Sequence, residues 1–157
     1  MCKESAVRAA LTAAQEHCAL CPRRCGAARR ETAGLCGMGA ELKVARAALH
    51  YWEEPCISGC DGSGTVFFSG CTLRCVFCQN REISAGGFGQ AISVERLREV
   101  FRELEAAGAS NINLVSPTQF APWIALALEE VPGIPVVWNT GGYERVETLR
   151  LLEGKVQ

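Results

Sequence analysis

The pattern of apolar and polar residues changes along the chain. Residues 3–17 are rich in alanine and predict a helix that ends before Cys18. Between residues 18 and 39, cysteine, proline, glycine and arginine leave neither a helical nor a strand period, so something other than an apolar core must order this segment. Residues 42–52 predict a strand, and a Pro/Gly/Ser-rich connection over residues 53–64 follows it.

After Gly64, short apolar runs alternate with helical patterns. The apolar runs have the length of buried strands and lie at residues 65–69, 112–115 and 136–138. Helical patterns follow them, the first between the N-cap residue Ser93 and Gly108, the others at residues 120–130 and 144–153. This β-α-β-α-β-α order predicts an α/β fold with a parallel sheet.

Three β-α units make an incomplete architecture. A fourth strand would start at residues 155–157. A barrel closed by eight such units takes about 250 residues, whereas three units leave an open sheet with an unpaired last edge. We therefore expect a fragment, or a chain whose last sheet edge is covered by a partner.

Composition and charge exclude several classes of protein. The chain has 157 residues, 48% hydrophobic and 21% charged, with a formal net charge of −1. It can bury a core, and it has no general attraction for nucleic acid or anionic lipid. No aromatic stacking pattern accompanies the four arginines of residues 18–39, here called the N-terminal segment, so we expect them to form a solvated face. They are Arg23, Arg24, Arg29 and Arg30.

The chain shows no sign of export or membrane insertion. Its start lacks the positive segment, apolar segment and cleavage site of a signal peptide. The longest uncharged run, residues 109–128, contains several polar residues and two prolines, and we interpret it as strand, loop and helix. We therefore expect a cytoplasmic protein without a membrane or nucleic-acid partner.

The ten cysteines are the unusual feature, and all of them lie between residues 2 and 78. In a reducing cytoplasm, clustered cysteines are more often metal ligands or catalytic thiols than disulfides. Cys71, Cys75 and Cys78, here called the cysteine triplet, follow the first apolar run of the β-α pattern directly. Three thiolates can hold three corners of a [4Fe–4S] cluster and leave one iron open. The alternatives are a zinc site completed by a distant Cys or His, or an inert remnant.

The Cys-x3-Cys-x2-Cys spacing, with Phe77 before the last cysteine, resembles the signature of the radical S-adenosylmethionine (SAM) superfamily. The segments at residues 62–71, 113–118 and 138–142 are similar to its pyruvate formate-lyase activating enzyme-related branch. The resemblance implies a partial (β/α)6 barrel, of which this chain supplies about half. Residues 63–157 would be that N-terminal half, preceded by a cysteine-rich region at residues 1–62.

The resemblance also implies an activity. The cysteine triplet would ligate a [4Fe–4S] cluster, SAM would chelate the open iron, and reduction would release methionine and a 5′-deoxyadenosyl radical. A low-potential flavodoxin or ferredoxin would supply the electron. In an activase, the radical would abstract a glycine Cα hydrogen from a glycyl radical enzyme, whereas a sibling enzyme would modify another substrate.

Residues that would contact SAM are less clearly marked. At the signature position, Phe77 would pack near the adenine. Many relatives carry a Gly-Gly-Glu segment after the second strand, but this chain has Ser116-Pro-Thr118 there and lacks the glutamate. The hydroxyls of Ser116 and Thr118 are substitutes, unless they cap the next helix. Asn139 would reach the methionyl or ribose part of SAM, unless it only shapes the following turn.

A second group consists of Cys18, Cys21, Cys25 and Cys36, here called the N-terminal cysteines. Four thiolates in a short coil are enough to close a zinc site or to hold a second iron–sulfur cluster. The spacing does not distinguish the two. An alternative class of function is therefore a zinc-binding structural or interaction module without catalysis, in which the cysteine triplet has only a structural role.

Overall fold

The computed structural model describes residues 3–52, 54–130 and 132–157, and a mixed five-stranded sheet forms its centre. The spatial order of the strands is β3-β1-β2-β4-β5. In chain order they are β1 (Leu42–His50), β2 (Ser63–Phe68), β3 (Gln90–Ile92), β4 (Ile112–Val115) and β5 (Val136–Asn139).

Parallel pairing joins the strands predicted from the β-α pattern. β2 pairs with β4 and β4 with β5, so that Val66, Leu114 and Trp138 lie side by side. β1 runs antiparallel to β2 and to β3. The boundary expected between a cysteine-rich region and a half-barrel, at residues 62 and 63, therefore falls between β1 and β2. These are neighbouring strands of one sheet. The predicted α/β class is confirmed.

Hydrogen bonds also form where a fourth parallel strand is expected. The Trp138 N–H donates to the Gln157 carbonyl oxygen at 3.0 Å, and the Gln157 N–H donates to the Val136 carbonyl oxygen at 2.8 Å. This alternation is the pattern of a parallel ladder. Gln157 thus lies beside β5 in strand register.

Six helices and two 3-10 turns surround the sheet in the described part of the chain. The helices are α1 (Lys3–Glu16), α2 (Pro55–Ser58), α3 (Arg81–Ser84), α4 (Val94–Ala106), α5 (Ala121–Ala127) and α6 (Val146–Leu149). The 3-10 turns cover Thr118–Phe120 and Arg150–Leu152. None of these helices is both long and apolar enough to cross a membrane.

Packing around α5 forms the centre of the core. Every residue of α5 is buried, and the helix contacts both α1 and α4. Phe120 lies between Phe68 and Trp123, with ring centroids 6.1 and 5.8 Å away. α4 contributes one apolar face with Leu97 and Phe101, each 1% exposed or less. The core therefore lies against the sheet face that α4 and α5 cover.

Several expected boundaries differ from the structure. The helix expected at residues 120–130 ends at Ala127, because Pro132 and Gly133 follow and the chain must turn into β5. The helix expected at residues 144–153 divides into α6 and a 3-10 turn. β3 was not expected, since only its pairing with β1 makes this short exposed segment a strand.

Candidate cofactor and metal sites

The carboxyl ends of β2, β4 and β5 meet at one edge of the sheet, because these strands are parallel. The cysteine triplet follows β2, Ser116 follows β4, and Asn139 ends β5. The Ser116 N–H donates to the Asn139 carbonyl oxygen at 3.0 Å. The structure therefore brings together the ends of the three strands that carry the predicted cluster and SAM residues.

The loop of residues 71–78 is here called the triplet loop. Its three cysteines differ in their exposure to solvent. Cys75 is exposed, Cys71 and Cys78 are half-buried, and all three are free. The Ser84 hydroxyl donates to Cys78 Sγ at 3.3 Å. Three free thiols in one loop are a donor set that fits an iron–sulfur cluster with one open iron.

Side-chain positions in the triplet loop differ from those of a formed site. Within residues 3–52, 54–130 and 132–157, no three His, Cys, Asp or Glu side chains form a group arranged to hold a metal ion. Ligation therefore requires the cysteine side chains to turn toward a common point. Phe77 is 87% exposed, so its packing against an adenine stays a prediction.

Gln119 is a site residue that sequence reasoning missed. Its side-chain nitrogen donates to the carbonyl oxygens of Ser69, Gly70 and Ser116 at 2.9, 3.1 and 2.7 Å. Gln119 is 2% exposed, so these bonds are shielded from water. The amide thus ties the end of β2 to the end of β4 immediately before Cys71. Its only sequence signal is a polar residue just before an apolar helix.

Glu144 is the second missed residue. One of its carboxylate oxygens accepts a hydrogen bond from the Thr118 hydroxyl at 2.6 Å and another from the Thr140 hydroxyl. Thr118 therefore bonds a carboxylate and makes no side-chain cap at its 3-10 turn. The chain lacks the glutamate expected after the second strand, yet a carboxylate reaches the ends of β4 and β5 from a later segment.

The N-terminal cysteines lie in a segment without helix or strand. Cys18 and Cys36 are buried, and Cys21 and Cys25 are half-buried. Burial raises the pKa of the Cys18 and Cys36 thiols. For Cys25, burial acts in the same direction, but backbone hydrogen bonds and the Cys18 thiol outweigh it, so that the pKa is lowered.

One arginine of the expected solvated face is buried, and for it the prediction is wrong. Arg29 is 2% exposed. Its Nε donates to the Gly39 carbonyl oxygen at 2.8 Å, and its Nη1 donates to the Gln119 carbonyl oxygen at 2.7 Å. The guanidinium lies over the Trp123 ring, 4.8 Å from the centroid. These carbonyls and rings come from distant parts of the chain, and they replace the water that sequence reasoning expected.

Hydrogen bonds join the N-terminal segment to the triplet loop. The Cys71 N–H donates to the Cys36 carbonyl oxygen at 3.2 Å. Arg23, which lies between Cys21 and Cys25, donates to the carbonyl oxygens of residues 72 and 73 at 2.6 and 3.1 Å. The N-terminal segment therefore supports the backbone of the triplet loop.

The remaining cysteines are outside both groups. Cys56 and Cys60 are exposed and free. Cys2 lies outside the described residues. We assign none of the three to a site.

Comparison with known proteins identifies the class. Residues 65–155 match the family described as the Radical SAM superfamily, and this match spans more than half of the chain. The chain therefore belongs to the radical SAM superfamily, whose members generally use a [4Fe–4S] cluster and SAM.

One relative extends the similarity to the N-terminal segment. The chain is 32% identical over 151 residues to the uncharacterized protein MJ0674 of Methanocaldococcus jannaschii. The alignment covers 90% of this chain and 43% of that protein, so the chain spans less than half of the relative's length. No solved structure matches the chain.

Proposed function

We propose that the cysteine triplet holds a [4Fe–4S] cluster and that the protein uses it to cleave SAM reductively. The observation that carries this proposal is the position of three free thiols in one loop at the carboxyl end of β2, in a chain of the radical SAM superfamily. When bound, the cluster supplies the electron that splits SAM into methionine and a 5′-deoxyadenosyl radical.

The residues around the triplet loop have distinct tasks in this proposal. The Ser84 hydroxyl would orient the Cys78 sulfur through its hydrogen bond, and Gln119 fixes the backbone before Cys71. The Glu144 carboxylate would accept a hydrogen bond from the amino group of SAM, while Ser116 and Asn139 would contact the rest of its methionyl and ribose parts. The half-buried Glu144 already bonds two hydroxyls, which holds its carboxylate at the ends of β4 and β5.

The substrate that the 5′-deoxyadenosyl radical attacks is the next part of the proposal. We propose an activase-like reaction in which the radical abstracts a glycine Cα hydrogen from a glycyl radical enzyme, with a low-potential flavodoxin or ferredoxin as electron donor in the cytoplasm. The support is the similarity of the motifs at residues 62–71 and 113–118 to the activase-related branch. Exposed Val76 and Phe77 at the triplet loop offer an apolar contact for a partner.

Anaerobic reconstitution with iron and sulfide tests the cluster. We expect about four irons and four sulfides on the triplet, and Cys71→Ala, Cys75→Ala and Cys78→Ala should each lose them. Cys56→Ala is the matched control, because it removes an exposed thiol outside both cysteine groups. Unchanged iron in the three triplet variants, or zinc without a SAM-sensitive cluster, would favour the structural module instead.

The reaction needs a separate assay. After dithionite reduction with SAM, the reconstituted protein should produce 5′-deoxyadenosine and methionine. Glu144→Gln should weaken SAM binding while the iron content stays unchanged, since Glu144 is not a cluster ligand in this proposal. A loaded cluster that binds SAM without producing 5′-deoxyadenosine would contradict reductive cleavage.

A further inference from the structure

A groove of about 420 Å³ lies where the N-terminal segment leads into β1. Residues 29–30, 37–41 and 43 line it, and neither cysteine group contributes to its walls. We call it the basic groove, because it carries three cationic side chains and one carboxylate. These charged residues are Arg29, Arg30, Lys43 and Glu41.

Arg29 places a buried positive charge in the wall of the basic groove. It is 2% exposed, and no carboxylate among the described residues forms an ion pair with it. Its Nε and Nη1 donate to the carbonyl oxygens of Gly39 and Gln119, whereas its Nη2 has no hydrogen-bond partner. In a planar guanidinium, the Nε–H and one N–H of Nη2 point to the same side. The unpaired nitrogen therefore faces the side of Gly39, which lines the groove.

Backbone N–H groups of the basic groove also lack partners. Within residues 3–52, 54–130 and 132–157, the N–H groups of residues 38–41 donate no hydrogen bond. These residues follow Gly37, which has a φ of +85°. A turn of this kind directs successive N–H groups toward one concave side, where they bind anions. The groove thus combines unpaired backbone donors with an uncompensated cation.

Two further cations of the basic groove lack a carboxylate partner. The half-buried Lys43 donates to the Gly87 carbonyl oxygen at 2.6 Å, and the exposed Arg30 donates to the Gln15 side-chain oxygen at 2.7 Å. Neither forms an ion pair with another described residue. By contrast, the exposed Arg102 of α4 is paired with Glu130. Positive charge is therefore left uncompensated at the groove.

The size and charge of the basic groove fit a phosphate group. A phosphate monoester carries close to two negative charges at neutral pH and offers three strong acceptor oxygens. Such an anion matches three cations, one carboxylate and a row of N–H donors better than a single carboxylate does. Sites for small molecules measure about 300–1,000 Å³, so the groove also has room for an organic part.

We propose that the basic groove binds a phosphate group, carried by a small molecule or free in solution. The N–H groups of residues 38–41 and the side chains of Arg30 and Lys43 donate to its oxygens. The buried Arg29 supplies positive charge behind these donors. Glu41 opposes binding, because its carboxylate has the same sign as the ligand. This site is independent of the cluster and of SAM.

The basic groove adjoins the backbone that leads to the triplet loop. The Ser69 N–H donates to the Lys43 carbonyl oxygen at 3.0 Å, and the Cys71 N–H donates to the Cys36 carbonyl oxygen at 3.2 Å. The two acceptors lie on either side of the unpaired N–H groups in the chain. A phosphate group in the groove therefore holds the segment that receives both bonds.

Calorimetric titration of the full chain tests binding. The probes are inorganic phosphate, glycerol 3-phosphate and acetate, at low ionic strength and about pH 8, where a phosphate monoester is a dianion. We expect both phosphates to bind and acetate to bind much more weakly. Tighter binding of glycerol 3-phosphate would identify a small phosphorylated molecule as the source, whereas equal affinities would identify free phosphate. No heat with either phosphate, or equal binding of acetate, would overturn the proposal.

Two substitutions of opposite sign locate the ligand. Lys43→Ala should weaken phosphate binding roughly 10-fold, as expected for a charged hydrogen-bond donor. Glu41→Gln should strengthen it about threefold, because it removes a partly screened repulsion. Arg102→Ala is the matched control, since it removes a positive charge from an exposed side chain that does not line the groove. Affinity that is unchanged in both groove variants, or reduced equally by Arg102→Ala, would place the phosphate elsewhere.

Variants of Arg29 test the buried charge. Arg29→Met should weaken phosphate binding, and Arg29→Lys should retain more of it, with folding checked by circular dichroism. Equal affinities for Arg29→Met and the unmodified chain would refute the role of the guanidinium. If Arg29→Met does not fold, the comparison of Arg29→Lys with the unmodified chain decides whether the fixed guanidinium donors contribute.

Hydrogen exchange provides a readout that does not depend on affinity. Phosphate should slow amide exchange in residues 37–43 relative to residues 97–104 of α4. The effect should be smaller in Lys43→Ala at the same phosphate concentration. Identical exchange of residues 37–43 with and without saturating phosphate would show that their N–H groups do not hold the ligand.

Discussion

Replacing Gly70 by alanine probes the contact between the N-terminal segment and the triplet loop. Gly70 has a φ of +76°, and a Cβ there would lie 2.4 Å from Met38 Cγ and 2.8 Å from the Cys36 carbonyl oxygen. The left-handed backbone costs an alanine about 1–2 kcal/mol. Overpacking adds roughly 1–3 kcal/mol, because a backbone oxygen cannot move aside as a flexible side chain does. We therefore expect Gly70→Ala to lower the free energy of unfolding by about 2–5 kcal/mol.

Gly108→Ala isolates the backbone part of this effect. Gly108 has a φ of +88°, with nothing within 4 Å of its added Cβ. It lies between α4 and β4, so it is ordered whenever the sheet is folded. Urea unfolding should give a loss of about 1–2 kcal/mol for this variant. If the two losses agree within about 0.5 kcal/mol, the close contact of Cys36 with Gly70 is refuted.

Three further substitutions test the parts that position the site. Ser93→Ala should lower the free energy of unfolding by about 1 kcal/mol, and Ser93→Thr by less, because the hydroxyl accepts the Arg96 N–H at 3.0 Å. Leu97→Ala should lower it by about 2–5 kcal/mol, since this side chain is fully buried, and a loss below about 1 kcal/mol would contradict its core position. Gln119→Leu leaves three carbonyl oxygens without their donor and should cost about 1–3 kcal/mol in urea unfolding. The iron content after anaerobic reconstitution should also be lower in this variant. An unchanged iron content would show that Gln119 does not position the triplet loop.

Elements with strong local signals were predictable. The apolar run at residues 112–115 becomes β4 with the same bounds, and Ser93 caps α4 as its position before an amphipathic pattern indicates. The cysteine spacing likewise predicts metal or cluster ligation from neighbouring residues alone, because a metal selects ligand number and type, and this ligation stays a prediction. Such features depend on residues that are close together in the sequence.

The residues that support the site could not be predicted, because their hydrogen-bond partners are far away in the sequence. The carbonyl groups that Gln119 bonds near β2 lie 49 and 50 positions away, and the Arg29 side chain bonds the carbonyl oxygen of a residue 90 positions away. Backbone carbonyls carry no sequence signal, since every residue has one. A polar residue that serves such partners looks in the sequence like any solvent-facing residue.

One continuous set of hydrogen bonds connects the two cysteine groups. Arg29 donates to the backbone of Gln119, the Gln119 side chain donates to Gly70, and Cys71 donates back to Cys36. The Arg29 guanidinium lies at one end of this path and the Cys36 carbonyl oxygen at the other. Because each bond fixes a group that makes the next one, a change at the N-terminal cysteines alters the backbone from which Cys71 projects. The cysteine-rich segment is therefore part of the structure that presents the triplet, although it precedes the β-α units in the sequence.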